Sequence, residues 1–156
     1  MNTSEHSRPS KDSACVFVVD NNDDLRQMLC VALEAAGFDV VQARTPLELQ
    51  GRLAEAQPDA LVIDLQRSET DGLAMLSRVR ARQALGDVPI LFLSANDEDD
   101  FHRRVMSAGA DWVGVRPLGM LQLQKQVRHL IRHGRPLPQE VRPKQRPAVI
   151  QLKRTG

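Results

Sequence analysis

Short apolar runs alternate with helical periodicities along most of this chain, and this alternation restricts the folds that it can adopt. Runs rich in β-branched residues occur at 15–19, 39–43, 60–64, 89–93 and 112–116. Their continuous apolar character is typical of strands that are covered on both faces. Strands that alternate with helices require right-handed crossovers. The sequence therefore predicts an α/β fold with one doubly wound parallel sheet of five strands and helices on both faces.

Helical periodicity fills the intervals between these runs. The first helix is predicted over about 23–36, where Asn22 or Asp23 can cap the start and Gly37 can end it. Met28 falls on the apolar face of this helix. The other predicted helices cover about 46–56, 72–83, 97–108 and 119–133.

Composition indicates one folded domain between two polar ends. The chain is 42% apolar and 26% charged, a composition typical of globular proteins. Its 156 residues are enough to bury one hydrophobic core. We predict a disordered leader at 1–13, the folded domain at 14–133 and a flexible Pro-rich tail at 134–156. That tail holds six Lys or Arg against one Glu, although the net charge of the whole chain is only +1.

Cysteine usage and hydropathy favour a cytoplasmic location. Cys15 and Cys30 are too few for a disulfide framework and fit reduced core thiols. The polar N-terminus lacks the apolar stretch of a secretion signal, and no run approaches 18 apolar residues. We therefore predict a cytoplasmic protein with no membrane partner.

Polar or charged residues stand at the carboxyl ends of four predicted strands. Asp20, Asp64 and Ser94 end the first, third and fourth runs, and Arg116 ends the fifth. In an open parallel sheet, ligands bind in the crevice at the carboxyl ends of the strands. These four side chains are therefore expected to converge on one site.

Together these segments resemble the receiver domain of response regulators in two-component signalling. The resemblance covers about 14–133 and is carried by 18–25, 64–73, 89–95 and 109–117, in the right order and on strand ends. It implies a flavodoxin-like sheet in 2-1-3-4-5 order with its site at the switch point. It also implies a signalling module that receives a phosphoryl group from a histidine kinase or phosphotransfer protein and turns over no external substrate.

The resemblance assigns roles to individual residues. Asp64 becomes the phosphoacceptor, Ser94 the hydroxyl that binds the phosphoryl group, and Gln66 and Asn96 the side chains that flank it. In-line phosphoryl transfer to a carboxylate calls for a cation, and Mg²⁺ prefers oxygen ligands. The implied metal ligands are the side chains of Asp20, Asn21 and Asp64 and the backbone carbonyl of Gln66.

Three residues depart from the pattern of the family. Asn21 stands where a second acid is usual, so Mg²⁺ binding is expected to be weak or absent. Arg116 replaces a lysine, and its planar guanidinium could bind Asp64 through two nitrogens. Val113 replaces an aromatic switch residue, which removes the ring whose rotation would be coupled to Ser94.

These departures leave three functions open. The first is a phosphorylation switch with Asp64 as acceptor, and the second is a pseudo-receiver that acts by binding without phosphorylation. The third is a small phosphatase-type enzyme with Asp64 as nucleophile, although Gln66 occupies the usual position of its general acid. A nucleotide-binding domain is excluded because the chain has neither a G-x-G-x-x-G motif nor a P-loop.

Family analogy predicts that output runs through protein–protein contacts. The expected surface is formed by the fourth helix, the fifth strand and the fifth helix, which would bind another signalling protein or form a homodimer. The tail lacks aromatic residues and a helix-turn-helix pattern, so we predict no specific DNA binding. The residues assigned to this partner surface are Val105, Val113, Leu118 and Leu123.

Three other features have ordinary explanations. His129 and His133 have a spacing that can bind zinc, but no third ligand is evident. The acidic run at 97–100 suits the first turn of a helix. Trp112 is expected to pack at the start of the fifth strand.

Overall fold

Five parallel strands in the order β2-β1-β3-β4-β5 form the centre of this computed structural model, which describes residues 13–64 and 69–136. The predicted fold class and strand order are therefore confirmed. Each crossover between strands contains a helix, as parallel pairing requires. The elements are β1 (Cys15–Asp20), α1 (Asp23–Ala35), β2 (Asp39–Ala43), α2 (Pro46–Glu55), β3 (Ala60–Asp64), α3 (Glu69–Ala81), a 3-10 turn (Gln83–Leu85), β4 (Ile90–Ser94), α4 (Asp99–Ala108), β5 (Trp112–Val115) and α5 (Met120–His133).

Local side-chain hydrogen bonds shape the start of α1 and the turn before α4. Asn22 is the N-cap of α1, because its Oδ1 accepts a hydrogen bond from the backbone N of Leu25 at 3.0 Å. α4 begins at Asp99, two residues later than predicted. Asn96 Oδ1 accepts from the backbone N of Glu98 at 2.9 Å, which holds the preceding residues in a turn outside the helix.

The sheet separates two apolar cores. Phe17 and Val19 of β1 face the core under α2, α3 and α4, whereas Val16 and Val18 face the core under α1 and α5. This division follows from the two-residue alternation of side chains along a strand. Since both faces are covered, Val16 to Val19 are all buried, as the continuous apolar runs predicted.

The structure corrects the predicted partner surface. Val105 and Leu123 are fully buried, because each lies on the helix stripe that faces the sheet. Neither can meet a partner. Val113 and Leu118 are half-buried and pack against the two cores, so little of either side chain is available. Met28, predicted on the apolar face of α1, is instead 56% exposed.

The predicted ends fall largely outside the described residues. These include 1–12 of the leader and 137–156 of the tail. Within the described part, α5 ends at His133, and Gly134 follows with φ of +74°. Cys15 and Cys30 form no disulfide, and Cys30 is buried. Among the described helices, none is long and apolar enough to cross a membrane.

Candidate functional site

Two buried carboxylates meet at the carboxyl edge of the sheet. Asp20 ends β1 and Asp64 ends β3, and these adjacent strands pair with the two residues directly opposite each other. Asp20 is 0% and Asp64 is 2% exposed, although both stand at strand ends. Buried carboxylates require partners, so the groups around them define the candidate site.

Arg116 is the cation of the site. Its Nη2 forms an ion pair with Asp64 Oδ1, and its side chain is only 23% exposed. Burial lowers the pKa of Arg116, while the negative charge of Asp20 opposes that shift. Arg116 follows β5, and its backbone N donates to Ser94 O at 2.9 Å, which fixes it beside β4. The peptide bond between Arg116 and Pro117 is cis.

Asp20 keeps one oxygen without a partner. Its Oδ1 accepts from the backbone N of Asn22 at 2.8 Å, but its buried Oδ2 has no hydrogen bond within the described residues. Burial raises the pKa of Asp20, opposed by the Asn22 N–H and by the charges of Arg116 and Arg26. Arg26, which the sequence did not single out, donates from Nη1 to Asp20 O at 2.9 Å.

The charge that Asn21 lacks is not supplied by its neighbours. Asn21 itself is exposed. The side chain of Asp23 is 62% exposed and pairs with Arg26 at 2.8 Å and Arg44 at 3.3 Å, which keeps it on the surface. In the segments that the structure describes, no three His, Cys, Asp or Glu side chains are grouped to hold a metal.

The donor set nevertheless fits a hard divalent cation. Asp20 Oδ2 is a buried carboxylate oxygen with no hydrogen bond among the described groups, and Asp64 lies directly opposite. Such oxygens are what Mg²⁺ prefers. The fit is weakened because Arg116 already offsets one of the two negative charges.

Ser94 ends β4, the strand next to β3, and Asn96 lies in the turn two residues beyond it. Ser94 Oγ accepts from the backbone N of Asn96 at 3.0 Å. His102 of α4 adds a contact that sequence analysis missed, because its Nε2 lies 2.8 Å from Asn96 O. The only sequence signal for that contact is the position of His102 in the first turn of α4. Gln66 lies outside the described residues.

The remaining candidates are surface or packing features. The rings of His129 and His133 lie with centroids 4.5 Å apart on an exposed part of α5. The acidic run at 97–100 is exposed around the start of α4, where acids are favourable. Trp112 is half-buried and packs against the core under α1 and α5, as expected for the start of β5.

Comparison with known proteins places the chain among signalling proteins. A family model described as the response regulator receiver domain matches residues 16–128. The DNA-binding dual master transcriptional regulator RpaA of Synechocystis is 27% identical over 124 residues, which cover 80% of this chain and 52% of that protein. The transcriptional regulatory protein PrrA of Mycobacterium tuberculosis is 33% identical over 117 residues, which cover 75% and 49%. The chain thus spans about half the length of these relatives.

A solved structure supports the same fold. The chemotaxis protein CheY4 of Vibrio cholerae superposes with a TM-score of 0.70 at 25% sequence identity. The match covers 75% of this chain and 98% of that one, so the likeness extends over nearly the whole of CheY4.

Proposed function

We propose that this chain, which belongs to the response regulator receiver family of two-component signalling, uses Asp64 as its phosphoacceptor. Receiver domains are signalling modules that interact with histidine kinases or phosphotransfer proteins and are generally not enzymes with external substrates. One observation carries the proposal for Asp64. It is the buried carboxylate at the end of β3, opposite Asp20 and paired with Arg116.

The chemistry is phosphoryl transfer to a carboxylate. An oxygen of Asp64 attacks phosphorus in line, a new P–O bond forms, and the bond to the donor breaks with its electron pair kept by the donor. Ser94 Oγ lies on the neighbouring strand and donates its hydrogen to a phosphoryl oxygen. Arg116 transfers its guanidinium contact from Asp64 to the phosphoryl group, because a planar fork suits phosphate oxygens.

Mg²⁺ would be held by Asp20 and Asp64, with Asn21 offering at most an uncharged oxygen. When bound, the ion offsets negative charge on the acceptor and on the phosphoryl oxygens. A unit charge about 4 Å from a divalent cation is worth about 8 kcal/mol at an effective dielectric near 20, before solvation. Losing one carboxylate therefore weakens Mg²⁺ binding, and the charge of Arg116 weakens it further.

We propose that the backbone carbonyl of Gln66 is a further ligand to Mg²⁺. We also propose that the side chains of Gln66 and Asn96 flank the phosphoryl group.

The second candidate is a pseudo-receiver that signals without phosphorylation. The ion pair between Arg116 and Asp64 favours it, because the guanidinium already occupies the acceptor. Val113 favours it too, because this half-buried residue has no ring to rotate towards Ser94.

We propose that the partners are a histidine kinase or phosphotransfer protein and another signalling protein in the cytoplasm. The surface of α4, β5 and α5 stays the proposed contact or homodimer face, but with different residues. On α4 and α5 the exposed large apolar side chains are Met106 and Leu121, at 36% and 63% exposure. We propose no specific DNA binding by this chain, its basic tail included.

Intact mass after incubation with acetyl phosphate and Mg²⁺ tests the function. A phosphoryl adduct on the parent chain that is absent from Asp64→Ala supports the switch. If the parent takes no adduct and the Asn21→Asp, Arg116→Lys double variant gains one, the pseudo-receiver is correct. If neither chain is modified although both are folded, Asp64 is not an acceptor.

A further inference from the structure

We propose that a cleft at the amino-terminal edge of the sheet is the docking site for the chain's own basic C-terminal segment, residues 137–156. The cleft, here called the base cleft, measures about 350 Å³. It lies at the opposite end of the strands from Asp64 and takes no part in the phosphoacceptor site. Its lining residues are Gln57, Pro58, Asp59, Asp87 and Val88.

Arg135, one residue before the end of the described segment, is held beside this cleft by hydrogen bonds. Arg135 Nη1 donates to Gly86 O at 2.7 Å, and Arg135 Nε donates to Asp111 Oδ1 at 2.9 Å. Gly86 directly precedes Asp87 of the cleft wall. The segment after Arg135 therefore starts at the cleft, and no long excursion is needed to reach it.

This anchor is built into the fold. Asp111 is buried, and its second oxygen accepts from Arg80 Nη2 at 2.6 Å and from the backbone N of Ile90 at 2.8 Å. Arg80 also donates from Nε to Gly109 O at 2.9 Å. One carboxylate thus joins α3, the starts of β4 and β5, and Arg135, the second residue after α5. A buried network of this kind holds Arg135 in one position.

The cleft and the segment have opposite charges. Asp59 and Asp87 are both exposed and form no ion pair within residues 13–64 and 69–136. Asp59 Oδ2 accepts from the backbone N of Cys15 at 2.7 Å, which orients that carboxylate. Asp111 already has two arginines, so the carboxylates of Asp59 and Asp87 are the ones available to new cations. The segment offers Arg142, Lys144, Arg146, Lys153 and Arg154 against Glu140.

Chain length and continuity favour this segment over a second copy as the occupant. An extended Pro-rich chain advances about 3.1 Å per residue, so Arg142 can lie up to roughly 22 Å from Arg135. That reach is long compared with a cleft of about 350 Å³. A tethered segment also acts at an effective concentration in the millimolar range, which a second copy at micromolar concentration does not match.

Zero-length carbodiimide cross-linking of the full chain tests the proposal, because it joins lysine amines to carboxylates in contact. The chain has only four lysines, and Lys144 and Lys153 are the two in the segment. We expect cross-links from these two to Asp59 or Asp87, identified by peptide mass. A mixture of ¹⁵N-labelled and unlabelled chains separates links within a chain from links between chains. In an equal mixture, mixed-isotope links at about half of the total, the share expected for random pairing of chains, would show a second copy and overturn the proposal. Links mainly to the exposed acids at 97–100 would overturn it too.

Trypsin cleavage after Lys144 and Lys153 gives an independent measurement. The Asp59→Asn, Asp87→Asn double variant should be cleaved there at least threefold faster than the parent. The control Asp24→Asn, Glu98→Gln changes the same charge elsewhere on the surface and should match the parent. Asp87→Asn alone avoids disturbing the Cys15 contact and should show part of the effect. Equal cleavage rates in all four folded chains would overturn the proposal.

Discussion

At the scale of single residues, the site is two buried carboxylates, Asp20 and Asp64, and one guanidinium that pairs with Asp64. The side chain of Arg116 is 23% exposed and that of Asp64 is 3% exposed, so the pair lies mostly out of water. Removing one member of such a pair leaves an uncompensated buried charge, which is much worse than losing an exposed pair. The behaviour of this site should therefore depend on Arg116 more than on any surface ion pair.

Arg116→Ala should lower the free energy of unfolding by about 2–4 kcal/mol, because Asp64 and Asp20 would then face each other without a cation. Urea denaturation at neutral pH measures this change. Arg103→Ala is the matched control, since its pair with Asp100 has exposed side chains, and it should change stability by less than about 1 kcal/mol. Equal losses in the two variants would show that the Arg116 pair behaves as a surface pair.

Asp20→Asn should stabilise the fold at pH 7. Burial raises the pKa of Asp20 above its ordinary value of 3.8, so the native state binds this proton more tightly than the unfolded chain does. The contribution of this group to stability is therefore greatest below pH 3.8 and falls as the pH rises through the raised pKa. The Asn variant keeps an oxygen for the Asn22 N–H and loses the charge.

Denaturant midpoints of the parent and Asp20→Asn at pH 7 and pH 4 measure this effect. We expect a gain from the substitution at pH 7 that shrinks at pH 4. Asp24→Asn, at an exposed position in the first turn of α1, serves as the control; it should lower the midpoint slightly at pH 7 and give no gain. A gain of the same size at both pH values would contradict the assignment of the effect to the charge of Asp20.

At the scale of elements, the turn between α4 and β5 restricts its residue most strongly, in both backbone conformation and side-chain size. Gly109 ends α4 with φ of +119°, and a Cβ at this position would lie 2.4 Å from Arg80 Cγ. Gly37 ends α1 with φ of +94°, but a Cβ there would meet nothing within 4 Å. Both glycines therefore adopt a positive φ that other residues rarely adopt, but only Gly109 also lacks space for a side chain.

Gly109→Ala should cost about 3–5 kcal/mol of unfolding free energy, because backbone strain is joined by displacement of Arg80 from the carboxylate of Asp111. Gly37→Ala should cost about 1–2 kcal/mol, from strain alone. Chemical denaturation of both variants tests the difference. Equal costs would mean that Arg80 yields without losing its contacts.

Element types and order were predictable because periodicity and strand-end chemistry act locally. Which residue of a helix faces the sheet was harder to predict. The sequence pattern favours a surface position for Val105 and Leu123, but both lie on the stripe that faces the sheet. It favours a core position for Met28, which is exposed. The network of Arg80, Asp111 and Arg135 was missed because its members come from three distant parts of the chain.

At the scale of the whole molecule, charged side chains are clustered at both ends of the sheet. Asp20, Asp64 and Arg116 lie at the carboxyl ends of the strands, and Asp111 anchors Arg135 at the amino ends. β5 connects the two ends directly, since Asp111 precedes it and Arg116 follows it. Any ligand that draws Arg116 away from Asp64 therefore pulls on one end of β5, whose other end is held by the ion pairs of Asp111. The stability of the domain should accordingly report what binds at the site.

Mg²⁺ provides that measurement, because a ligand that binds only the native state raises the melting temperature by mass action. At millimolar Mg²⁺ the parent should gain little, since Asn21 supplies no charge and Arg116 offsets Asp64. The Asn21→Asp variant should gain several degrees more than the parent, and Asn21→Asp combined with Asp20→Asn should lose that gain. Potassium chloride at equal ionic strength controls for screening. If Asn21→Asp responds to Mg²⁺ no more than the parent does, then the missing charge at this position is not what limits metal binding, and the pair between Arg116 and Asp64 becomes the element that must be opened first.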